Sequence, residues 1–376
     1  MAAPEILMSN LKAGYPNKKI VPKLYQENIR PIYEQLASVK ITEKFDPKVH
    51  LSFQAESVST TKRLTMAELG IFSETAISDI GVSDPFDLFT EEAVEIMRAE
   101  ILRTEVFEKW ARYSYSSTTG LDCVIRGYAK YTCPFTYAAW THPETVKAVS
   151  LMAGVELQVI MDYEVAHINI AMKSKEDADN QIIEAKRKSN MNDEYDDKIP
   201  AVVGWHNDSY PFVCVLMLSD TTAMIGGETL LKMGNGKIVP TPGPSKGKAV
   251  ILQGREISHL APIPLGYTER ITAVTSYRAK DATKPDMSVL STVKPEISFG
   301  SMYNEFYPEW IEYRMNLIKE RCDLLTTKVN SDLKAGKTFA KDDAMKTLKE
   351  MDAYLHKTWK EMEVTPEEYA RMLAKQ

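Results

Sequence analysis

Gly204-Trp205-His206-Asn207-Asp208 opens the stretch that decides the fold, and Glu269-Arg270-Ile271-Thr272 closes it. Between them lie Gly226-Gly227-Glu228-Thr229 and Ser258-His259-Leu260. His206 and Asp208 are two residues apart, so on a strand both side chains leave the same face. His259 follows far enough downstream to stand on the opposite wall of one barrel. Arg270 comes eleven residues after His259, and Thr272 shares its face on the next strand. Two imidazoles and one carboxylate are the ligand set of a three-ligand iron site with open positions.

The flanking sequence reads as strands. Val155, Leu157 and Val159 alternate with Glu156 and Gln158. In Glu164–Met172, Ala166, Ile168 and Ile170 take one face while His167 and Asn169 take the other. A strand with one apolar face is half-buried, its polar face turned to solvent or to a wet cavity. His167 and Asn169 are therefore either a hydrogen-bonded structural pair or contacts to a bound molecule. Pro211–Leu218 is almost wholly apolar, Gly226-Gly227 turns into Glu228–Lys232, and Lys248–Leu252 leads toward His259. Ile271, Ala273, Thr275 and Tyr277 alternate with Arg270, Thr272, Val274 and Ser276. Many short strands separated by turns predict an α+β chain with a double-stranded β-helix, or jelly-roll, core.

The ordered set, His-x-Asp, a distant His, then Arg-x-Ser/Thr about ten residues on, resembles the Fe(II)/2-oxoglutarate-dependent oxygenases over roughly residues 155–280. The resemblance implies that His206, Asp208 and His259 hold Fe(II), and that Arg270 grips the distal carboxylate of 2-oxoglutarate with help from the Thr272 hydroxyl. A guanidinium suits that task because it binds a carboxylate through two parallel hydrogen bonds. Asn169 and His167 are candidate contacts to the same cosubstrate. O2 takes the remaining metal position in the family, and 2-oxoglutarate leaves as succinate and CO2. A family halogenase replaces the carboxylate ligand by a small residue, so Asp208 favours hydroxylation, desaturation or ring formation. The substrate expected is a small molecule, an amino acid or a secondary-metabolite intermediate. Three other readings share these residues: an iron oxidase of similar fold that does not use 2-oxoglutarate, a zinc hydrolase, and a non-catalytic jelly-roll binding protein.

Composition bounds the rest. The 376 residues, 44% hydrophobic and 26% charged, are those of an ordinary globular protein able to bury a large core. A formal net charge of -6 argues against an electrostatic nucleic-acid binder. Cys123, Cys133, Cys214 and Cys322 show neither paired metal spacing nor disulfide density, which fits a reducing, cytoplasmic setting. The start of the chain has no signal-peptide pattern, and no apolar run is long enough for a membrane span.

Three regions follow. Residues 1–154 form an N-terminal support of helices and short strands. From Pro22 the pattern turns helical, with Ile29, Ile32, Tyr33 and Leu36 at helical spacing and Pro31 delaying or kinking the helix; a short strand at His50–Phe53 and loops over 54–87 follow. Thr90 should cap a helix running to about residue 112, and Thr141 a second helix ending near Gly154, with His142 a helix-start residue. Arg126, Tyr128 and Tyr131, in a strand-like stretch before the barrel, are either surface residues or contacts to a substrate carboxylate. The oxygenase core spans 155–300, with a polar insertion at 173–200 that is either a lid or a solvated loop. Residues 301–376 are helical, with Thr365 capping the last helix, and offer a surface for packing on the barrel or for a homodimer.

Overall fold

A computed structural model of the chain describes residues 20–116, 120–188, 201–298, 301–368 and 370. It is a mixed helix and antiparallel-sheet structure. Its strands are β1 (Arg63–Thr65), β2 (Ile80–Ser83), β3 (Phe86–Asp87), β4 (Ala111–Ser116), β5 (Gly120–Ile125), β6 (Leu157–Val159), β7 (His167–Met172), β8 (Ala201–His206), β9 (Phe212–Met217), β10 (Thr229–Lys232), β11 (Ile238–Thr241), β12 (Lys248–Leu252), β13 (His259–Pro262) and β14 (Glu269–Ala279). The larger sheet runs β1-β2-β12-β9-β14-β7-β5-β4, with β3 and β6 attached to β12 and β14. The smaller runs β11-β10-β13-β8. From β7 to β14 the chain passes back and forth between the two sheets.

The two faces of the larger sheet have different partners. Ile168, Ile170, Cys214, Leu216, Ile271 and Ala273 face the helices and join one core with Val94, Met97, Trp140 and Val149. The alternate residues Val213, Val215, Val250, Leu252 and Val274 face the smaller sheet and pack with Leu231 and Val239. Period-two alternation thus builds a helix-covered side and an inter-sheet side from the same strands.

The bracing helices are α1 (Glu91–Ile101), α2 (Thr104–Trp110), α3 (Pro134–Thr141) and α4 (Pro143–Ala153). Thr90 caps α1 as its sequence predicts, accepting from the Ala93 N–H at 3.3 Å. The helix does not continue to residue 112, because it stops at Leu102, restarts as α2, and gives way to β4 at Ala111. The cap of α4 is His142 rather than Thr141: its Nδ1 accepts from the Glu144 N–H at 3.2 Å, with Pro143 in the first turn. Thr141 ends the preceding helix. Gly154 closes α4 in the left-handed region at φ 68°, a conformation that costs a non-glycine residue roughly 1–2 kcal/mol.

Several local expectations change. The helix at 22–35 absorbs Pro31 by a π-turn over Tyr25–Ile29, which relieves the missing N–H. His50 ends a helical turn instead of starting a strand, and only Leu51 bridges, to Phe89. The segment 54–87 holds three short strands, β1 to β3. Arg126 and Tyr128 are buried, whereas Tyr131 is exposed. The polar stretch after β7 is ordered at its start as helix α5 (Lys175–Lys188), which buries Ala178; residues 189–200 lie outside the described residues.

The C-terminal region holds α6 (Tyr303–Lys334) and α7 (Lys341–Lys360). Phe306, Tyr307, Trp310 and Tyr313 of α6 pack with Tyr163, in the turn before β7, and with Tyr210, in the loop between β8 and β9. Thr365 and Glu368 form a reciprocal capping box, with Glu368 N–H on the Thr365 hydroxyl at 3.2 Å and Thr365 N–H on the Glu368 carboxylate at 2.9 Å. The outer side of α7 leaves Met345, Leu348, Leu355 and Trp359 exposed.

Arg314 fastens α6 to α7. It is fully buried and pairs with Asp286 at 3.2 Å, donates to the Thr358 hydroxyl at 2.9 Å, and lies over the Tyr354 ring. Burial pushes the Asp286 carboxyl up, and Arg314 with the Ser288, Tyr313 and Tyr354 hydroxyls more than reverses this. Arg314→Met strands that carboxylate and is expected to cost about 3–5 kcal/mol in urea unfolding. A loss below about 1 kcal/mol contradicts the assignment.

Candidate metal centre

Strands β8 and β13 are neighbours, and their register pairs His206 with His259. Leu231 of β10 pairs with His259 on the other side and belongs to the inter-sheet core, so both imidazoles face the inter-sheet space. Asp208 follows two residues after His206, and its N–H is held by the Gly254 carbonyl at 2.8 Å. The Asp208 carboxylate reaches both rings, with Oδ1 3.6 Å from His206 Nε2 and Oδ2 3.6 Å from His259 Nε2. The ring centroids are 4.2 Å apart. One ligand atom from each of the three lies within 4.8 Å of the others.

Hydrogen bonding fixes what these atoms offer. His206 Nδ1 lies 2.7 Å from the Gly204 carbonyl, and His259 Nδ1 lies 2.9 Å from the Ile257 carbonyl. A carbonyl only accepts, so each Nδ1 carries hydrogen and each Nε2 presents a lone pair to the centre. Asp208 Oδ2 is buried without a hydrogen-bond partner. Two lone pairs and an unsatisfied anionic oxygen converging on one point are the donor set of a divalent metal ion.

Charge follows the same arrangement. Burial favours the neutral Asp208 carboxyl, but His259 and His206 outweigh it and hold the pKa below the ordinary range. Burial lowers His259, with Asp208 opposing. Burial also works to lower His206, yet Asp208 lifts it above its usual value. A proton on His206 competes with a metal for Nε2, so metal affinity falls with pH as that ring protonates.

A second group, Glu43, His50 and Glu92, has metal-like proximity. Its tautomer excludes ligation. His50 Nδ1 accepts the Asp46 N–H at 2.9 Å, so the neutral ring carries its hydrogen on Nε2, which faces Glu43 at 3.7 Å.

The inward faces of β5, β7 and β14 carry polar side chains opposite the triad. Register aligns Val124, Asn169 and Thr272 in one row, and Asp122, Ala171 and Arg270 in the next. His167 pairs with Val274 and sits beside Arg126, whose charge also acts on Asp208. Arg270 stands four residues from Val274, about 13 Å along the strand. Its Nε is buried without a partner, and among the described residues no carboxylate lies within ion-pair distance of it. Burial lowers its pKa, opposed by Tyr267. Lys173, also buried, continues the inward face of β7; its Nζ donates to Gln181 of α5 at 3.0 Å and lies over the Tyr267 ring. Burial pushes that phenol up to about 12.

The structure therefore brings His206, Asp208 and His259 together, and sets His167, Asn169, Thr272 and Arg270 along one inward surface facing them. The sequence reading missed Glu164 and Gly254, and placed Arg126 at the surface or against a substrate, whereas it is buried and paired with Glu164 at 2.6 Å. Alternation of Leu121, Cys123 and Ile125 with Asp122, Val124 and Arg126 is the signal that places Arg126 inward. Nothing comparable marks Gly254, where an added Cβ meets Asp208 Oδ2 at 1.8 Å. Gly254→Ala is accordingly expected to displace the carboxylate and to weaken metal binding about 10- to 100-fold, as loss of a supporting residue does. Calorimetric titration with Mn(II) checks this, and unchanged affinity contradicts it.

No family model and no curated protein matches the chain. Solved structures do. An oxidoreductase of the 2OG-Fe(II) oxygenase family from Burkholderia pseudomallei is 15% identical, with a TM-score of 0.29 over 42% of this chain and 68% of that one. A prolyl-4-hydroxylase from Pseudomonas putida is 16% identical, with a TM-score of 0.33 over 57% and 98%. SnoN, a non-haem alpha-ketoglutarate-dependent epimerase of nogalamycin biosynthesis, is 13% identical, with a TM-score of 0.37 over 53% and 78%. The case for this chain rests on its own donor atoms. Among the described residues, no helix is long and apolar enough to cross a membrane.

Proposed function

We propose that the chain is a non-haem iron, 2-oxoglutarate-dependent oxygenase with a double-stranded β-helix core, acting on a C–H bond of a small molecule. The observation that carries the proposal is the convergence of two imidazole Nε2 lone pairs and an Asp208 oxygen without a hydrogen-bond partner, on the sheet that faces a half-buried arginine whose Nε has no hydrogen-bond partner. With Fe(II), 2-oxoglutarate and O2 bound, such a centre supplies the oxidising equivalent for hydroxylation, desaturation or ring closure.

The protein's own part is binding and orientation. Nδ1–H bonds to Gly204 and Ile257 hold each imidazole as an Nε2 donor. Arg270 is placed to take a carboxylate through two parallel hydrogen bonds, and Thr272 to add a hydroxyl to it. Arg270 favours the 2-oxoglutarate reading over a hydrolytic zinc centre, which needs no second anion site. The acidic net charge of -6 supports a small metabolite over a nucleic acid.

The test is a screen of amino acids and small acids for succinate formation that requires Fe(II), 2-oxoglutarate and the added compound together. Stoichiometric succinate with one compound class supports the reading. Oxygen consumption without any dependence on 2-oxoglutarate moves the chain to the oxidase reading.

A further inference from the structure

We propose that α7 carries an interaction surface for a second copy of this chain, and that two copies pair antiparallel through the stripe of Met345, Leu348, Leu355 and Trp359. The inference stands apart from the metal centre and does not depend on the function proposed above.

The helix carries two seams. Met351, Tyr354 and Thr358 are buried on the first, with Ala344 and Thr347 half-buried in line with them. That seam meets α6. Trp310 Nε1 donates to the Thr358 carbonyl at 3.1 Å, Arg314 lies over the Tyr354 ring, and the Cys322 sulfur is 3.7 Å from the Met351 sulfur. Its positions follow one another by three and four residues, the spacing of a helix packed along another helix. Met345, Leu348, Asp352, Leu355 and Trp359 repeat the same spacing one residue later, about 100° round the helix. The four apolar side chains of this second seam are 42%, 55%, 46% and 47% exposed. A solvated face carries polar residues, whereas a three-four repeat of large apolar ones is the pattern of a second helix contact.

The hairpin of α6 and α7 needs that contact. Between Arg321 and Glu350 both helices run on, yet no residue is buried. Helices in proteins draw most of their stability from packing an apolar face, and two helices alone bury only the seam between them. A hairpin face as long as α7 and two helices wide is about 30 Å by 20 Å. That area of about 600 Å² approaches the roughly 800 Å² per partner of a stable interface.

Charge along the seam selects a second copy. Asp352 stands between Lys349 and His356. Lys346 and Glu350 pair within the helix at 4.0 Å, whereas Asp352 and Lys349 form no ion pair among the described residues. A two-fold axis level with Glu350 sets Asp352 beside Lys349 of the partner subunit and Met345 beside Leu355 of the partner subunit. It also sets Trp359 beside Lys341 of the partner subunit, a cation against an indole. Each contact then occurs twice, as an isologous interface requires.

Sedimentation velocity of the full chain tests the pairing, and a dimer is expected at about 10 µM, the weak end for interfaces of this size. Leu348→Glu/Leu355→Glu protein is expected to be monomeric at that concentration. Both side chains are half-exposed, so the variant folds, which urea unfolding checks. Asp352→Lys is expected to weaken the dimer at least tenfold by setting cation against cation, and adding Lys349→Asp to restore it to within about threefold of wild type. Wild type that sediments as a monomer, or a dimer that Leu348→Glu/Leu355→Glu leaves intact, overturns the proposal. A charge swap that leaves the dimer as weak as in Asp352→Lys overturns the antiparallel pairing.

Discussion

Asp208→Ala protein is expected to retain no stoichiometric iron after anaerobic reconstitution. The carboxylate lies 3.6 Å from each Nε2 and is the triad's anion. Removing it leaves two neutral imidazoles. The loss should exceed the roughly 10- to 100-fold that goes with a supporting residue. Fold stability responds differently. Oδ2 is buried without a hydrogen-bond partner, so its removal from metal-free protein should change unfolding free energy by less than about 1 kcal/mol. Metal analysis and urea unfolding of the same preparation separate the two effects. One equivalent of iron in Asp208→Ala protein removes Asp208 from the centre.

Arg270→Ala is expected to raise the dissociation constant for 2-oxoglutarate by roughly 30- to 1000-fold, or about 2–4 kcal/mol, with iron content nearly unchanged. The side chain is half-buried, its Nε is buried without a hydrogen-bond partner, and Ala171, its register neighbour, leaves space beside it. A partly desolvated cation without a counter-ion does not stabilise the empty protein, so the variant should unfold no more easily than wild type without ligand. Wild type should gain stability as 2-oxoglutarate is added, because only the folded state binds it. The variant should show little of that gain at the same concentration. Equal ligand-induced stabilisation in both proteins makes Arg270 a structural residue.

Much of this site was legible in the chain because its cause is local. A His-x-Asp pair on a strand puts both side chains on one face whatever surrounds it. Alternation around Ile168, Ile170, Ile271 and Ala273 likewise predicted which faces of β7 and β14 turn away from the helices. Other features depend on contacts far apart in sequence. Gly254 is required only because the Asp208 carboxylate lies against it. Arg126 is buried because Glu164 neutralises it at 2.6 Å and because β5 extends the sheet beyond β7. Local capacity was also misjudged at Thr141, which satisfies the Tyr137 carbonyl at 2.8 Å and leaves the cap to His142. The charged segment after β7 reads as too polar to order, yet α5 buries Ala178, and Ile182 approaches the turn at Gly266. Tertiary support of one narrow apolar edge outweighed the composition.

The most direct measurement is an anaerobic titration of the metal-free protein with Fe(II) and then with 2-oxoglutarate, followed by visible absorption. Chelation of the ferrous ion by a 2-oxoacid is expected to produce a charge-transfer band that saturates at one equivalent of each. His259→Ala should show neither bound iron nor the band. Arg270→Ala should bind iron and develop the band only at much higher 2-oxoglutarate. A His259→Ala protein that holds iron and develops the band as wild type does contradicts the assignment of the triad and the function built on it.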